Sequence, residues 1–203
     1  MKMTKTIDFY FDFASPNAYM AYRVLPAIAE RTGAPINYLP VLLGGIFKTT
    51  GNQAPMIAFA NVKGKIAYEM LEVQRFLKKH ELTQFKMNSA FPVISLMLMR
   101  GAIHAQNTGQ LEPYIEAGMK AMWEMDRKMD DPKIFVSTLN ELGFDGPAFL
   151  DATQDAAIKS TLAINTKKAV DRGLFGIPSF FVGDEMFFGK ERLGQVEEAV
   201  LSA

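Results

Sequence analysis

Apolar residues occupy every second position near the start of the chain. Four of them fall on one face of an extended segment: Ile7, Phe9, Phe11 and Phe13. This period of two predicts a β-strand over residues 6–13 with one buried face. A second apolar run predicts another strand over about residues 36–43.

A helix is predicted between these two strands. Ser15 is followed directly by Pro16, and a serine cap with proline at the first helical position is a strong start signal. Apolar residues then recur at helical spacing until Gly33, which is predicted to end the helix. A strand–helix–strand unit of this kind implies parallel strands joined by a right-handed crossover.

The character of the chain changes after the second strand. From about residue 47 to residue 155 the apolar spacing is helical. Two helical stripes are predicted, at Ile66, Met70, Val73 and Leu77 and at Ile115, Met119, Met122 and Asp126 around Trp123. A further helix is predicted to open at Asp131–Pro132 and to end at Gly143. The frequent methionines indicate adaptable core packing, and the alternative is the wall of an aromatic-substrate pocket.

The last fifty residues return to strand patterns. A long helix is predicted over residues 154–172, followed by a strand over residues 177–182. Gly183–Asp184 is typical of a hairpin turn, which leads to a returning strand over residues 185–188 and then to a last helix. We therefore predict one α/β domain formed by residues 1–46 and 156–203, with an all-helical domain over residues 47–155 inserted into it.

Net charge and the absence of cysteine limit the kinds of binding and catalysis that this chain can perform. Lys and Arg number 22, as do Asp and Glu, so the 203-residue chain has a formal net charge of zero. A neutral chain without a basic run does not favour nucleic-acid binding. Cysteine is absent, which excludes disulfides, thiolate metal sites, iron–sulfur clusters and a cysteine nucleophile in this chain.

The histidines do not predict a metal site. His80 and His104 lie 24 positions apart, without the close spacing that zinc ligands usually show. Both fall in predicted helices, where we expect them to be partly exposed. A Gly-x-Ser-x-Gly nucleophile elbow is also absent from the sequence.

The sequence predicts no export signal and no membrane span. Residues 1–5 include two lysines and precede apolar positions, but Asp8 and Asp12 interrupt the run that a signal peptide would need. The longest apolar stretch, residues 93–99, is far shorter than the roughly 20 residues that cross a bilayer. We therefore expect a soluble, cytoplasmic protein.

The order of elements and four sequence motifs point to one family. The motifs are DFYFDFASPNAY at residues 8–19, FKTTGN at 47–52, FPV at 91–93 and GLFGIPSFFVGDEMFFGKERL at 173–193. On these residues the chain resembles the DsbA superfamily and, within it, the kappa-class glutathione transferases and the 2-hydroxychromene-2-carboxylate isomerases. The resemblance implies a thioredoxin-like domain with an inserted helical domain, glutathione as cofactor and a homodimer.

The resemblance gives Ser15 a catalytic role. Redox members of the fold open the first helix with Cys-x-x-Cys, whereas this chain has Ser15-Pro16-Asn17-Ala18 and can do no dithiol chemistry. A helix N-terminus still stabilises an anion, so a thiolate supplied by glutathione would be favoured there. Ser15 would donate a charge-assisted hydrogen bond to that sulfur. On spacing alone a simple helix cap is the favoured interpretation, and the full motif match favours the functional one.

Two further segments are implied to bind glutathione. Pro178 would be cis and face the helix start, so that the backbone of Ile177 pairs with the cysteinyl unit; a trans proline at a strand edge is the alternative. The segment Phe188, Gly189, Lys190 and Glu191 would bind the γ-glutamyl group, with an acid holding its ammonium and helix N–H groups its carboxylate. Relatives usually carry Asp at Glu191 and Asn or Ser at Lys190. An exposed helix start is the alternative interpretation.

The resemblance also implies a polar wall for the substrate. Lys48 would attract a substrate carboxylate, although an isolated lysine is usually a solvated surface residue. Three asparagines are candidates to complete this wall: Asn52, Asn61 and Asn88. The family's usual asparagine after Phe-Pro-Val is replaced here by Ile94, a departure that bears on the substrate preference.

Three functions follow as hypotheses. The first is a glutathione-dependent isomerase that converts 2-hydroxychromene-2-carboxylate to trans-o-hydroxybenzylidenepyruvate by reversible thiolate addition, a step of aromatic hydrocarbon catabolism. The second is a kappa-like glutathione transferase or peroxidase, which consumes glutathione. The third is a non-catalytic, degenerate thioredoxin-like binding protein. Stoichiometric loss of thiol separates the second from the first, and absence of glutathione binding together with a trans Pro178 favours the third.

Overall fold

The alternating residues at the start of the chain form an inner strand of a four-stranded sheet in the computed structural model, which describes residues 5–202. β1 (Ile7–Phe11) pairs in parallel with β2 (Ile36–Pro40) and antiparallel with β3 (Ser179–Val182). β3 pairs antiparallel with β4 (Glu185–Phe188), which gives the order β2-β1-β3-β4. Residues 1–4 and 203, which belong to the predicted α/β domain, lie outside the described residues.

Helices make up most of the remaining described chain. They are α1 (Pro16–Thr32), α2 (Leu43–Thr50), α3 (Pro55–Ala58), α4 (Lys65–Lys79), α5 (Leu96–Asn107), α6 (Leu111–Trp123), α7 (Pro132–Glu141), α8 (Gly146–Ala152), α9 (Ala156–Asp171) and α10 (Leu193–Leu201). A short 3-10 turn, Lys190–Arg192, leads into α10. No helix within residues 5–202 is long and apolar enough to cross a membrane.

Local capping signals place several helix starts where the sequence predicts them. Ser15, Asp131 and Asp155 each accept a hydrogen bond from a backbone N–H of the first turn that follows. Gly33 ends α1 in the left-handed conformation, at φ 69°. These caps confirm the predicted starts of α1 and α7, and they set the start of α9 two residues later than predicted.

The predicted second strand is too long. β2 ends at Pro40 rather than at residue 43, because the backbone N–H of Leu43 donates to Asp12 Oδ2 at 2.7 Å and α2 begins there. The predicted stripe that runs to Asp126 is also too long, since α6 ends at Trp123 and Asp126 has φ 55°.

The sheet and the helices share one hydrophobic core. Phe9 of β1 stacks on Phe180 of β3, with ring centroids 5.2 Å apart. Phe13, just past β1, packs on the face of α6 where Gly118 lies, and a Cβ at Gly118 would overlap the Phe13 ring. Trp123 Nε1 donates to the carbonyl of Phe13 at 3.0 Å. α6 is therefore joined to the loop that precedes Ser15.

One predicted domain boundary falls inside a helix, and the other falls at the start of a helix. α2 (Leu43–Thr50) spans the first boundary, between residues 46 and 47, whereas α9 begins at Ala156, where the second was predicted. The helices α3 to α8 lie between them in the chain. The exact boundaries stay a prediction.

Candidate active site

Ser15 lies at the amino end of α1 and is buried, with 5% of its surface exposed. Its Oγ accepts the backbone N–H of Ala18 at 3.1 Å, which makes it the helix cap. The same hydroxyl donates to the carbonyl of Ile177 at 3.4 Å, a long contact. Ser15 therefore caps α1, and the hydrogen bond that its hydroxyl donates to Ile177 is weak.

The segment before β3 faces the start of α1. The peptide bond between Ile177 and Pro178 is cis, as the resemblance implies. Ile177 presents its carbonyl to Ser15, and the carbonyl of Pro178 accepts the backbone N–H of Gly189 at 2.9 Å. The segment Ile177–Pro178 therefore contacts both the start of α1, at Ser15, and the residue that follows β4, Gly189.

The segment that follows β4 combines an exposed ring with a buried cation. Phe188 is 40% exposed and packs on Phe175, with ring centroids 4.6 Å apart. Lys190 is only 4% exposed and forms an ion pair with Glu191. Glu191 Oε2 lies so near Gly189 that a Cβ there would come within 2.9 Å of it. Gly189 has φ 95°, which favours glycine.

Two of the four predicted substrate residues lie on or just after α2. Asn52 Nδ2 donates to the carbonyl of Phe175 at 2.7 Å, so it is tied to the loop before Pro178. Lys48 is exposed on α2, and its side chain forms no ion pair or hydrogen bond within residues 5–202. Lys48 is thus a cation open to solvent on the helix that leads to Asn52.

Asn61 and Asn88 are placed differently. Asn61 is exposed in the turn between α3 and α4, and its side chain makes no hydrogen bond to another described residue. Asn88 is 3% exposed; Nδ2 donates to the carbonyls of Met122 and Arg127, each at 2.9 Å, and Oδ1 accepts from Ala90 at 2.9 Å. Both amide hydrogens of Asn88 therefore hold the backbone.

Ile94, which replaces the family's usual asparagine after Phe-Pro-Val, is exposed, whereas Asn88 is buried. Its side chain is 68% exposed, and it lies between the cis peptide bond at Phe91–Pro92 and the start of α5.

The histidines remain outside these contacts. Both are half-buried, as predicted: His80 packs on Phe76 and His104 on Phe149, with centroids 4.4 Å and 4.8 Å apart. Among residues 5–202, no group of three or more His, Cys, Asp or Glu side chains is arranged to hold a metal ion.

Sequence reasoning missed Asp12, whose backbone carbonyl accepts the N–H of Ser15 at 3.1 Å. Asp12 is fully buried, and its carboxylate accepts the backbone N–H groups of Ala14 at 2.9 Å and Leu43 at 2.7 Å. The Ser95 side chain is a third hydrogen-bond partner. Asp12 therefore joins the Ser15 loop, the start of α2 and the start of α5. The available signal was an acidic residue inside an aromatic strand run, where a buried carboxylate needs partners.

Asp12 gives a testable pH dependence. Burial raises its pKa above the ordinary value of 3.8, and the bonds from Ala14, Ser95 and Leu43 offset part of that rise. The unfolded chain therefore loses this proton at lower pH than the folded chain does, so the contribution of Asp12 to stability falls as pH rises through the folded pKa. Asp12→Asn removes this titration. We expect the variant to gain stability relative to the unmodified protein as pH rises above the ordinary Asp pKa of 3.8, measured by urea unfolding.

Asp126→Asn is the matched control. The backbone N–H of Ser89 is the main cause that lowers the pKa of Asp126, whereas the pKa of Asp12 is raised. The change of stability with pH therefore has the opposite sign for Asp126. The control variant should lose stability relative to the unmodified protein as pH rises. A difference between Asp12→Asn and the unmodified protein that stays constant with pH would contradict the assignment to Asp12.

Comparisons with known proteins agree with this fold. A family model described as "DSBA-like thioredoxin domain" matches residues 6–201. The curated 2-hydroxychromene-2-carboxylate isomerase of Sphingobium xenophagum is 31% identical over 199 residues, 98% of this chain and 100% of that one. Glutathione S-transferase kappa 1 of Caenorhabditis elegans is 25% identical, over 92% of this chain and 86% of that one. A solved structure of 2-hydroxychromene-2-carboxylate isomerase matches with a TM-score of 0.82 at 27% identity, covering 97% of this chain and 95% of that one.

These matches confirm the predicted fold class, a thioredoxin-like α/β fold with helices inserted between β2 and β3. The chain belongs to the DSBA-like thioredoxin domain family and, within it, to the group of the 2-hydroxychromene-2-carboxylate isomerases and the kappa-class glutathione transferases.

Proposed function

We propose that this protein is a glutathione-dependent isomerase of 2-hydroxychromene-2-carboxylate. The observation that carries the proposal is the Ser15 hydroxyl, which lies at the amino end of α1 with its proton on a 3.4 Å contact to Ile177. A stronger acceptor such as a thiolate would displace that contact. The chain has no cysteine of its own, so the sulfur has to come from a ligand. The 31% identical relative from Sphingobium xenophagum carries the name of this isomerase.

The residues around Ser15 fit a peptide thiol. The Ile177 backbone lies next to Ser15 and supports pairing with a cysteinyl unit. The backbone N–H of Gly189 donates to the carbonyl of Pro178, which supports the segment from Phe188 to Glu191 as the proposed site of the next unit of the ligand. When bound, glutathione would supply a thiolate for reversible addition to a conjugated double bond: the carbon–carbon bond becomes single and can rotate, and elimination then re-forms the double bond and returns the thiolate.

The chain's own residues orient the reactants and stabilise charge. Ser15 and the first N–H groups of α1 favour the anionic sulfur. Lys48 is the proposed partner of the substrate carboxylate, and of negative charge that develops during the reaction. Asn52 and Asn61 are proposed to complete the polar side of the substrate site. Asn88 is assigned a structural role instead, because both of its amide hydrogens are already donated.

The experiment is an isomerisation assay with an account of free thiol. We expect conversion of 2-hydroxychromene-2-carboxylate to trans-o-hydroxybenzylidenepyruvate only when glutathione is present, with the thiol concentration unchanged at the end. S-methylglutathione, which keeps the peptide but blocks the sulfur, is the matched control and should support no turnover. Equal rates with and without glutathione would contradict the proposal.

A kappa-like transferase is the second candidate, supported by the 25% identical relative from Caenorhabditis elegans. In that case thiol would be lost in proportion to product formed. A non-catalytic binding protein would neither turn over substrate nor consume thiol. A cytoplasmic homodimer that acts in aromatic hydrocarbon catabolism belongs to the leading proposal and is supported by the family resemblance alone.

A further inference from the structure

The helix that carries Lys48, α2, has no cap of its own. The side chain of the residue before it, Leu42, makes no hydrogen bond to the helix. The first N–H groups of a helix have no acceptor within it, so at α2 the acceptors come from distant parts of the chain. Thr166 Oγ1 on α9 accepts the backbone N–H of Leu42 at 2.9 Å, and Asp12 Oδ2 accepts that of Leu43 at 2.7 Å. The start of α2 is therefore held from outside the helix.

Asp12 divides its carboxylate between two segments of the proposed site. Oδ1 accepts the N–H of Ala14 at 2.9 Å, whereas Oδ2 accepts that of Leu43, and the Ser95 side chain is a further partner. The main-chain carbonyl of Asp12 also accepts the N–H of Ser15 at 3.1 Å. Asp12 is fully buried, so water does not compete for either oxygen. One side chain thus holds the loop of Ser15 and the start of α2 together.

A shift at the start of α2 would reach Lys48. Lys48 lies five positions after Leu43, about 7–8 Å along the helix axis. Its side chain is exposed and has no hydrogen bond or ion pair within residues 5–202, so the helix backbone alone determines where its ammonium lies. Asn52 differs, because its own bond to the Phe175 carbonyl holds it in place. Lys48 is therefore the proposed substrate residue that depends most on the start of α2.

We propose that Asp12 is a positioning residue of the substrate site, which caps α2 from outside and so sets the place of Lys48 relative to Ser15. The inference rests on the proposed function, since that function gives Lys48 and Ser15 their roles. Asp12 contacts neither ligand in this scheme. It fixes the separation between the group that binds the substrate carboxylate and the group that stabilises the sulfur, and this separation limits the length of substrate that can react.

Asp12→Asn tests the proposal, because it keeps the size of the side chain but replaces one oxygen by an NH2 donor. The amide oxygen can accept from Ala14 or from Leu43 but not from both, and the NH2 group opposes the N–H that remains. The bond from Ser15 to the main-chain carbonyl of Asp12 is unaffected by the change. We therefore expect the start of α2 to move and the Ser15 loop to stay in place.

The expected result is a loss toward the substrate without a loss toward glutathione. At saturating glutathione, kcat/KM for 2-hydroxychromene-2-carboxylate should fall about tenfold in Asp12→Asn, the usual effect of one hydrogen bond to a charged group. The dissociation constant of glutathione, from isothermal titration, should change by less than about twofold. Glutathione affinity that falls as much as kcat/KM would show Asp12 to be merely structural, and would overturn the inference.

A double-mutant cycle identifies Lys48 as the group that Asp12 positions. Lys48→Met alone should lower kcat/KM about tenfold. Since Asp12 acts through Lys48, adding Asp12→Asn to the Lys48→Met variant should lower it by less than about twofold more. Effects that multiply fully, or a Lys48→Met variant as active as the unmodified protein, overturn the inference, whereas glutathione-dependent isomerisation by the unmodified protein would still support the proposed function.

Asp131→Asn is the matched control, because it makes the same chemical change at the start of α7, where Asp131 accepts the N–H groups of Lys133 and Ile134. It should change kcat/KM by less than about twofold. Asp12→Ser takes the place of Asp12→Asn if that variant does not fold, since serine makes the local turn to Ala14 more weakly and its oxygen lies one bond nearer the backbone. If the unmodified protein does not isomerise the substrate with glutathione, the proposed function fails and this inference fails with it.

Discussion

Replacement of Ser15 by alanine is expected to lower turnover in the proposed isomerisation by about a hundredfold or more, the usual cost of one donor to a reacting anion. The variant loses the only described side-chain hydroxyl that donates to the Ile177 carbonyl beside the start of α1. It should still fold, because loss of a helix cap costs only about 1 kcal/mol. Initial rates at saturating glutathione, together with urea unfolding, measure the two effects separately.

Two more variants separate the catalytic role of Ser15 from its role as a cap. Ser15→Asp retains an oxygen that can accept the N–H of Ala18, and aspartate caps helices as well as serine does. It should therefore keep stability but lose activity, since an ionised carboxylate has no hydrogen to donate to the sulfur. Ser15→Thr keeps the hydroxyl and should keep most of the activity. An aspartate variant as active as the unmodified protein would show that Ser15 is only a cap.

Replacement of Trp123 by alanine is expected to reduce the free energy of unfolding by about 3–5 kcal/mol. The indole is fully buried, contacts the rings of Phe85 and Phe91, and donates Nε1–H to the carbonyl of Phe13 at 3.0 Å. The substitution removes this packing and leaves a buried carbonyl without its donor. Since a domain is stabilised by only about 5–15 kcal/mol, the loss is a large fraction of the total.

Trp123→Phe is the matched control, because it keeps a buried ring but removes the donor. We expect it to cost about 1–3 kcal/mol, the penalty of one unsatisfied buried group. Circular dichroism should follow the unfolding of each variant, since Trp123 is the only tryptophan of the chain and its fluorescence is lost. If the alanine variant were as stable as the phenylalanine variant, the ring would contribute no packing at this position.

The elements that could be predicted from the sequence are those specified by local signals. The alternation of Ile7, Phe9 and Phe11 predicts β1, and the pair Ser15–Pro16 predicts the start of α1, because both patterns act over a few neighbouring residues. The end of β2 was missed, since it depends on a bond from Leu43 to Asp12, 31 positions earlier in the chain. Contacts between residues so far apart in the chain produce no periodic pattern in the sequence.

The candidate site shows the same division. Ser15 and Pro178 were found through motifs, and their proximity follows from the fold. The burial of Lys190 could not be predicted, because it needs Phe76 from a helix more than a hundred positions away to cover a side chain that is usually exposed. Asn88 was assigned to the substrate wall, and its actual hydrogen bonds go to backbone carbonyls far along the chain, at Met122 and Arg127.

The hydrogen bond from Asn52 to the Phe175 carbonyl has a consequence for how this enzyme could acquire new substrates. It fastens the segment after Lys48 to the loop that enters Pro178, so a mutation that shifts one side disturbs the other. Selection for a different substrate through α2 would therefore alter affinity for the proposed cofactor at the same time. Residues 55–64 are exposed throughout, and changes there would be free of that penalty. New specificities should accordingly arise first in this segment.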